Sequence, residues 1–256
     1  MSSSAMSSSA IAGTETQPAL RALADGVLVD HGPVSFIGME LQTTMAALRL
    51  PSGEVVLWAP LPLTEARRAA VSALGPVTHL VAPNLLHHLW IGQWAQAFPA
   101  ARLHAPAGLQ RKRPDLPPAR RLGSGNGGSG DGGFGDGLLE VPIEGFRLEE
   151  TALFHRASGT LLTADLVHNV GRPSHAWTAL YSRAMGFFDT VALSRALRWT
   201  AFDDRRAARR SADRVLELPI QGAILGHGQP LEGDCRVALA AAWRFLPDAP
   251  ARLRAP

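Results

Sequence analysis

Two rhythms of apolar and polar residues divide the chain. Short apolar runs bounded by glycine, proline and aspartate read as strands: Gly26–Asp30, Thr44–Leu50, Glu54–Pro60, Thr78–Pro83 and Ala101–Ala105. "PSG" between the second and third of these suits a hairpin turn. Helical spacing takes over from Thr64, a good N-cap, to Gly75, a good stop, and again from Leu89 to Phe98 before Pro99. Further on, Thr151–Arg156 and Thr160–Asp165 predict a hairpin across "SG". A helical region at 176–199 follows, then a helix at Asp203–Leu216. The strand in "IQGAILGHG" and a last helix around Asp234–Phe245 complete the order. Strand pairs with helices at both ends predict two mixed sheets face to face with helices outside, an α+β architecture.

Two segments resist this reading. Residues 1–18, "MSSSAMSSSAIAGTETQP", carry no basic stretch and no apolar core of signal-peptide length, and are expected to be a disordered tail. Gly123–Gly137, "GSGNGGSGDGGFGDG", offers little apolar area and a large ordering cost, so a flexible surface insertion is expected there. It is expected to interrupt a single domain spanning 19–256, because the candidate site below draws on both sides of it.

The chain has 256 residues, 46% hydrophobic and 18% charged, an ordinary globular composition with enough length for a sizeable core. A net charge of +3 beside a pI near 9.9 follows from arginine content, Lys112 being the only lysine. The clusters Gln110–Arg121 and Asp203–Arg214 have no interleaved aromatics to stack bases, and the second alternates with acids, so nucleic acid is not an expected partner. Cys235 is alone, which excludes an internal disulfide and a thiolate cluster. No apolar run approaches the roughly 18 residues of a membrane span, and a reducing cytoplasm is the expected compartment.

Chemistry-bearing residues recur at one kind of position. His87 and His88, Asp165, and His227 each follow a short apolar strand. Strand ends converge at one edge of a layered fold, where ligand sites are built. Three imidazoles and a carboxylate suit Zn²⁺, and also Fe²⁺ or Mn²⁺. Adjacent histidines cannot both face inward from a straight strand, but a strand-to-helix turn permits it. His168, three residues beyond Asp165, is a candidate supporting partner or substitute ligand. His31, His79, His104, His155 and His175 read as surface or satisfied polar residues.

The succession "VAPNLLHHLWIGQW", "FPAARLHAPAGLQRKRPDL", "SGTLLTADL" and "ILGHG" resembles the metallo-β-lactamase-like superfamily over about Leu20 to Pro247. More narrowly it looks like a bacterial branch catalogued as a domain of unknown function. The resemblance implies a four-layer αββα sandwich and a His-x-His-x-Asp-His motif with a later His, an Asp and a final His around two metal ions. Laid on this chain, the motif's first two histidines fall on Pro83 and Leu85, its Asp on His87 and its last His on His88. The next ligand position falls near Phe146, the bridging Asp on Asp165 and the final His on His227. Losses thus gather at the first metal position, and what remains is one divalent ion held by His87, His88, Asp165 and His227.

Two functions are consistent with this. One is a mononuclear metal-dependent hydrolase in which Asp165 and His227 are the catalytic groups and the substrate is a small molecule. Arg111, Lys112 and Arg113 would then steer an anionic one. The other is a non-catalytic relative that keeps the cluster to bind a metal or ligand.

Overall fold

The computed structural model describes residues 20–124 and 133–247, so the tail at 1–18 lies outside the described residues. A first sheet runs in chain order: β1 (Arg21–Ala24), β2 (Val27–Phe36), β3 (Met39–Arg49), β4 (Val55–Trp58), β5 (Val77–Val81), β6 (Arg102–Ala105) and β7 (Ala119–Arg121). Its first four strands form an antiparallel meander, and β4 through β7 are parallel. The second sheet is built from β8 (Leu138–Pro142), β9 (Thr151–His155), β10 (Thr160–Thr163), β11 (Gly222–Leu225) and β12 (Leu231–Glu232), in the spatial order β12-β11-β10-β9-β8. Here β10 and β11 are parallel, and the other pairs are antiparallel.

Three apolar layers hold these sheets and their helices together. Between the sheets, Val29, Ala46, Val56 and Trp58 of the first meet Leu153, Leu162 and Ile224 of the second. On the outer face of the first sheet, α1 (Glu65–Leu74) and α2 (Ile91–Ala97) bury Val71, Ile91 and Trp94 against Leu57, Leu80 and Leu103. On the outer face of the second, α6 (Arg205–Leu216) and α7 (Arg236–Ala242) bury Ala208, Val215, Leu239 and Trp243 against Phe154, Leu161 and Leu225. The four-layer αββα sandwich expected from the sequence is the observed architecture. Short α3 (Leu109–Lys112), α4 (Ala176–Met185) and α5 (Arg195–Thr200) complete the described helices.

Local chemistry explains the boundaries. Thr64 caps α1 by accepting from the Arg67 N–H at 3.2 Å, and Asp204 caps α6 by accepting from Arg206 and Ala207 at 2.9 Å. Arg67 is buried and binds buried Asp30 at 2.8 Å, tying α1 to β2. The helical region expected at 176–199 is broken after Met185, because Gly186 takes a left-handed conformation (φ 75°) and its N–H closes the last turn of α4. β2 and β3 are longer than the apolar runs that mark them in the sequence, and together they form a hairpin of ten residue pairs from Val27↔Leu48 to Phe36↔Met39. Pro33 sits inside β2, where a proline cannot donate to a ladder on its N–H side. It is tolerated because β1 pairs with β2 only as far as Val29, so Pro33 lies on a free edge.

The glycine stretch needs a partial correction. Residues 125–132 fall outside the described residues, but its end does not behave as a free linker. Phe134 is 3% exposed and packs into the layer between the sheets, and Gly135–Gly137 form one 3₁₀ turn leading into β8. A single aromatic ring supplies the apolar area that its glycine neighbours lack. It lies 4.3 Å from the ring of His104 and 5.1 Å from that of His79, centre to centre. These two histidines are buried and paired (Nδ1 of His79 to Nε2 of His104, 3.0 Å), and buried His155 reaches the Ser158 hydroxyl and the Arg49 carbonyl. Phe134→Ala should therefore cost about 3 kcal/mol of stability, read from chemical denaturation. A cost below about 1 kcal/mol would mean that the ring does not hold this end of the stretch.

Candidate metal centre

Three turns carry the candidate residues to one edge. His87 and His88 lie between β5 and α2, Asp165 follows β10, and His227 follows β11. The first turn is organised by Asn84, whose side-chain oxygen accepts from the N–H groups of Leu86 and His87, each at 2.9 Å. The amide nitrogen of Asn84 donates to Asp165 Oδ2 at 2.7 Å and to Glu150 Oε2 at 3.1 Å. Glu150 in turn accepts from the Thr163 hydroxyl (2.6 Å) and from the backbone N–H groups of Ala164 (2.8 Å) and Asp165 (2.7 Å). Two buried carboxylates are thereby fixed side by side, and the β10 turn is locked.

Around Asp165 stand three imidazoles. Nε2 of His87 is 3.4 Å from Oδ2, while Nε2 of His227 and of His168 are 3.5 and 3.6 Å from Oδ1. His227 is aimed from behind: its Nδ1 donates to the Gln42 carbonyl on β3 at 2.9 Å, which leaves Nε2 as the lone pair of the neutral ring. The neighbouring glycines make room. A side chain at Gly226 would meet the His87 ring at 2.7 Å and the Ala164 carbonyl at 2.6 Å, and Gly228 holds a left-handed φ of 86°. The "GHG" turn is thus shaped by its packing on His87 and on the loop at Asn169.

The charge balance follows the geometry. Burial alone would raise the pKa of Asp165, but the His87 charge and contacts from His168, His227 and His87 hold it well below the usual carboxylate range. Burial opposes charge on His87, yet Asp165 and, further off, Glu150 outweigh it and hold its pKa above the ordinary histidine value. His168 is pushed down, first by burial. Burial and then the Asp165 charge push Glu150 up, against its hydrogen bonds.

Of the predicted ligands, His87, Asp165 and His227 are brought together, with ligand atoms all within 4.8 Å of one another. His88 is not in that group. It lines the adjoining cavity with Nε2 buried and unpartnered and Nδ1 3.3 Å from Arg113, and burial, with Lys112 and Arg113, lowers its pKa to about 4. His168 stands against Asp165, as a supporting partner would. Asn84 and Glu150 escaped the sequence reading. An Asn after a Pro-ended strand, and an acid directly before a fully buried one, were the available signals.

Comparison with known proteins agrees with this architecture. No family model matches the chain, and no curated protein does. Among solved structures, a metallo-beta-lactamase from Pontibacter korlensis superposes with a TM-score of 0.59 at 12% identity, covering 89% of this chain and 97% of that one. The metallo-beta-lactamase FIM-1 from Pseudomonas aeruginosa, in its mono-zinc form, gives 0.57 at 15% identity over 92% and 100%. The chain has the metallo-β-lactamase fold. A metal-soaked flavodiiron core from Synechocystis sp. PCC6803 shares that fold as well, with a TM-score of 0.61 at 13% identity, over 90% of this chain and 62% of that one. In this metallo-β-lactamase fold, Pro83 and Leu85 stand ahead of His87, and Phe146 is buried against Phe202 in the outer core.

The Asn84 amide yields a prediction with a definite sign. Asn84→Asp sets a third carboxylate beside Glu150 and Asp165, and should destabilise the metal-free protein at pH 7 by about 2 kcal/mol. The new acid's folded-state pKa would be raised above its unfolded value. The loss should therefore shrink as pH falls toward that raised value, the protonated form being the one the fold tolerates. Denaturation of both proteins at pH 7 and pH 5 measures it; a loss that grows on acidification would contradict the arrangement.

Proposed function

We propose that this chain is a hydrolase that works with one divalent ion held by His87, Asp165 and His227. The observation that carries this is the spacing of the ligand atoms. Separations of 3.4 and 3.5 Å are long for hydrogen bonds. They run to different oxygens, Oδ2 from His87 and Oδ1 from His227, and each is close to the roughly 3.4 Å between two ligands that lie about 2.1 Å from a tetrahedral ion, with one ligand atom from each residue inside a 4.8 Å span. Buried Nε2 of His168 has no hydrogen-bond partner and lies at a similar distance from Asp165, as a further donor or a proton carrier would. The donors are imidazole and carboxylate, which suits zinc and leaves Fe²⁺ and Mn²⁺ as alternatives.

When bound, such an ion supplies a Lewis acid and a water of lowered pKa. The rest falls to the chain. Asn84 and Glu150 fix Asp165, and Gln42 fixes His227. Asp165, its carboxyl held deprotonated, accepts a hydrogen bond from the attacking water, and His168 receives the proton. Residues Pro83, Leu85 and Phe146 stand where the superfamily resemblance implies the first metal position, which supports one ion rather than two. That same observation favours a second reading, a non-catalytic relative that retains the cluster for ligand binding. We further propose that the chain comes from a divergent bacterial branch of the superfamily and works in a reducing cytoplasm, in keeping with its single cysteine.

Metal per chain, measured on protein purified without chelator, tests the site. About one equivalent is expected for the parent, close to none for His87→Ala and His227→Ala, and an unchanged value for His88→Ala and His175→Ala, all with native circular dichroism. Loss of metal in His88→Ala with retention in His227→Ala would assign the ion elsewhere. A stoichiometric ion with no turnover of ester, thioester or phosphodiester substrates would favour the non-catalytic reading.

A further inference from the structure

The cavity beside the three candidate ligands has a volume of about 350 Å³, within the roughly 300–1,000 Å³ of small-molecule sites. Its polarity is one-sided. Asp165 and the histidines His87, His88, His168 and His227 line it at the metal end, and the remaining wall is largely aliphatic and aromatic. Among the described residues that line it there is no lysine or arginine. Two of the three basic residues expected to steer an anion are engaged by other groups. Lys112 donates to the Leu85 carbonyl at 2.7 Å, and Arg113 binds Asp115 at 2.7 Å and approaches His88.

Two further observations show what the wall is built for. A run of rings leads inward from the surface: Trp177 to Tyr181 at 6.0 Å, Tyr181 to Phe187 at 6.2 Å, and Phe187 to His168 at 6.0 Å. At the hairpin tip Phe36 and Ile37 are 41% and 51% exposed while lining the same cavity. Ile37 has φ 46° and Gly38 φ 76°, the two-residue turn that Asn-Gly adopts without strain. A β-branched side chain is costly there, and burial in the fold does not repay it. Ile37 nonetheless holds this position at the rim of the cavity.

We infer that the cavity takes a neutral acyl chain of several methylenes and that the substrate is a neutral carboxylic ester of it, with the carbonyl at the His87–Asp165–His227 end. The cleavage half of this rests on the hydrolase reading; the chain-binding half does not. Water adds its oxygen to the ester carbonyl carbon, and the bond from that carbon to the alcohol oxygen breaks. The alcohol leaves with one water proton, and the acid releases the other, with nothing oxidised or reduced. A phosphodiester would carry its charge along a wall that offers no side-chain cation, which disfavours it.

The test has two arms. In the first, N-methyl amides of acetic, butanoic and octanoic acid, and octyl phosphate, are titrated calorimetrically into the full chain with and without chelator. Affinity should rise about fourfold per buried methylene, roughly 250-fold over the four methylenes from butanoyl to octanoyl. The octanoyl amide should bind more tightly than octyl phosphate. Ile37→Gly should keep or raise the melting temperature, weaken the octanoyl amide severalfold and leave the acetyl amide unchanged, a pattern that a merely structural residue would not produce. Affinity independent of chain length, or preference for the phosphate, would overturn the assignment. In the second arm, metal-loaded protein is given p-nitrophenyl acetate, butyrate and octanoate, and bis(p-nitrophenyl) phosphate. A kcat/KM that climbs along the ester series supports the whole inference. Chain-length-dependent binding without ester hydrolysis supports the cavity assignment and overturns the hydrolase reading, and hydrolysis indifferent to chain length does the reverse.

Discussion

Glu150 and Asp165 are both buried, 1% and 3% exposed, and one amide nitrogen on Asn84 bonds to each of them. Two carboxylates taken out of water at such close quarters are tolerable only with full hydrogen bonding and positive charge nearby. Glu150 is satisfied by a hydroxyl and two backbone N–H groups at the β10 turn, so it acts as a fixed post. Asp165 is left with unsatisfied capacity toward the three imidazoles. That imbalance leaves Asp165 the member of the pair open toward the cavity, and Glu150 the member that holds the turn in shape.

The arrangement also decides what each histidine can do. His227 is anchored through Nδ1 by a carbonyl of the opposite sheet, and His87 follows a turn pinned by Asn84. Both rings are therefore oriented before any ligand arrives, the condition a precise site requires. His88, one residue along, faces the cavity between Arg113 and apolar neighbours, where burial and two cations keep it neutral. Adjacent histidines that look equivalent in sequence are thus separated by the direction of one turn.

Much of this was legible beforehand, and the exceptions have physical causes. Strand-ending His87, Asp165 and His227 could be read because apolar runs fix where strands stop, and the layered order follows from which elements alternate. Asn84 and Glu150 could not, since a buried hydrogen-bond partner and a solvated loop residue look the same in a single sequence. The length of the β2–β3 hairpin was hidden by Gly32 and Pro33, whose low strand propensity is harmless at an unpaired edge. Phe134 was hidden by its glycine-rich surroundings: composition averages over a window, whereas packing depends on one ring. The split between His87 and His88 needed backbone geometry that no spacing rule encodes.

The two sheets touch beside His227 in an unusual way. The Thr44 N–H on β3 donates to the Gly226 carbonyl at 3.0 Å, and Thr43 bridges His227, so β3 belongs for a moment to both sheets. Parting the sheets at this corner breaks that hydrogen bond and turns the His227 ring loose in the same motion. Solvent exchange of one amide hydrogen, that of Thr44, therefore keeps time for the whole edge: its protection factor measures how seldom the three turns come apart.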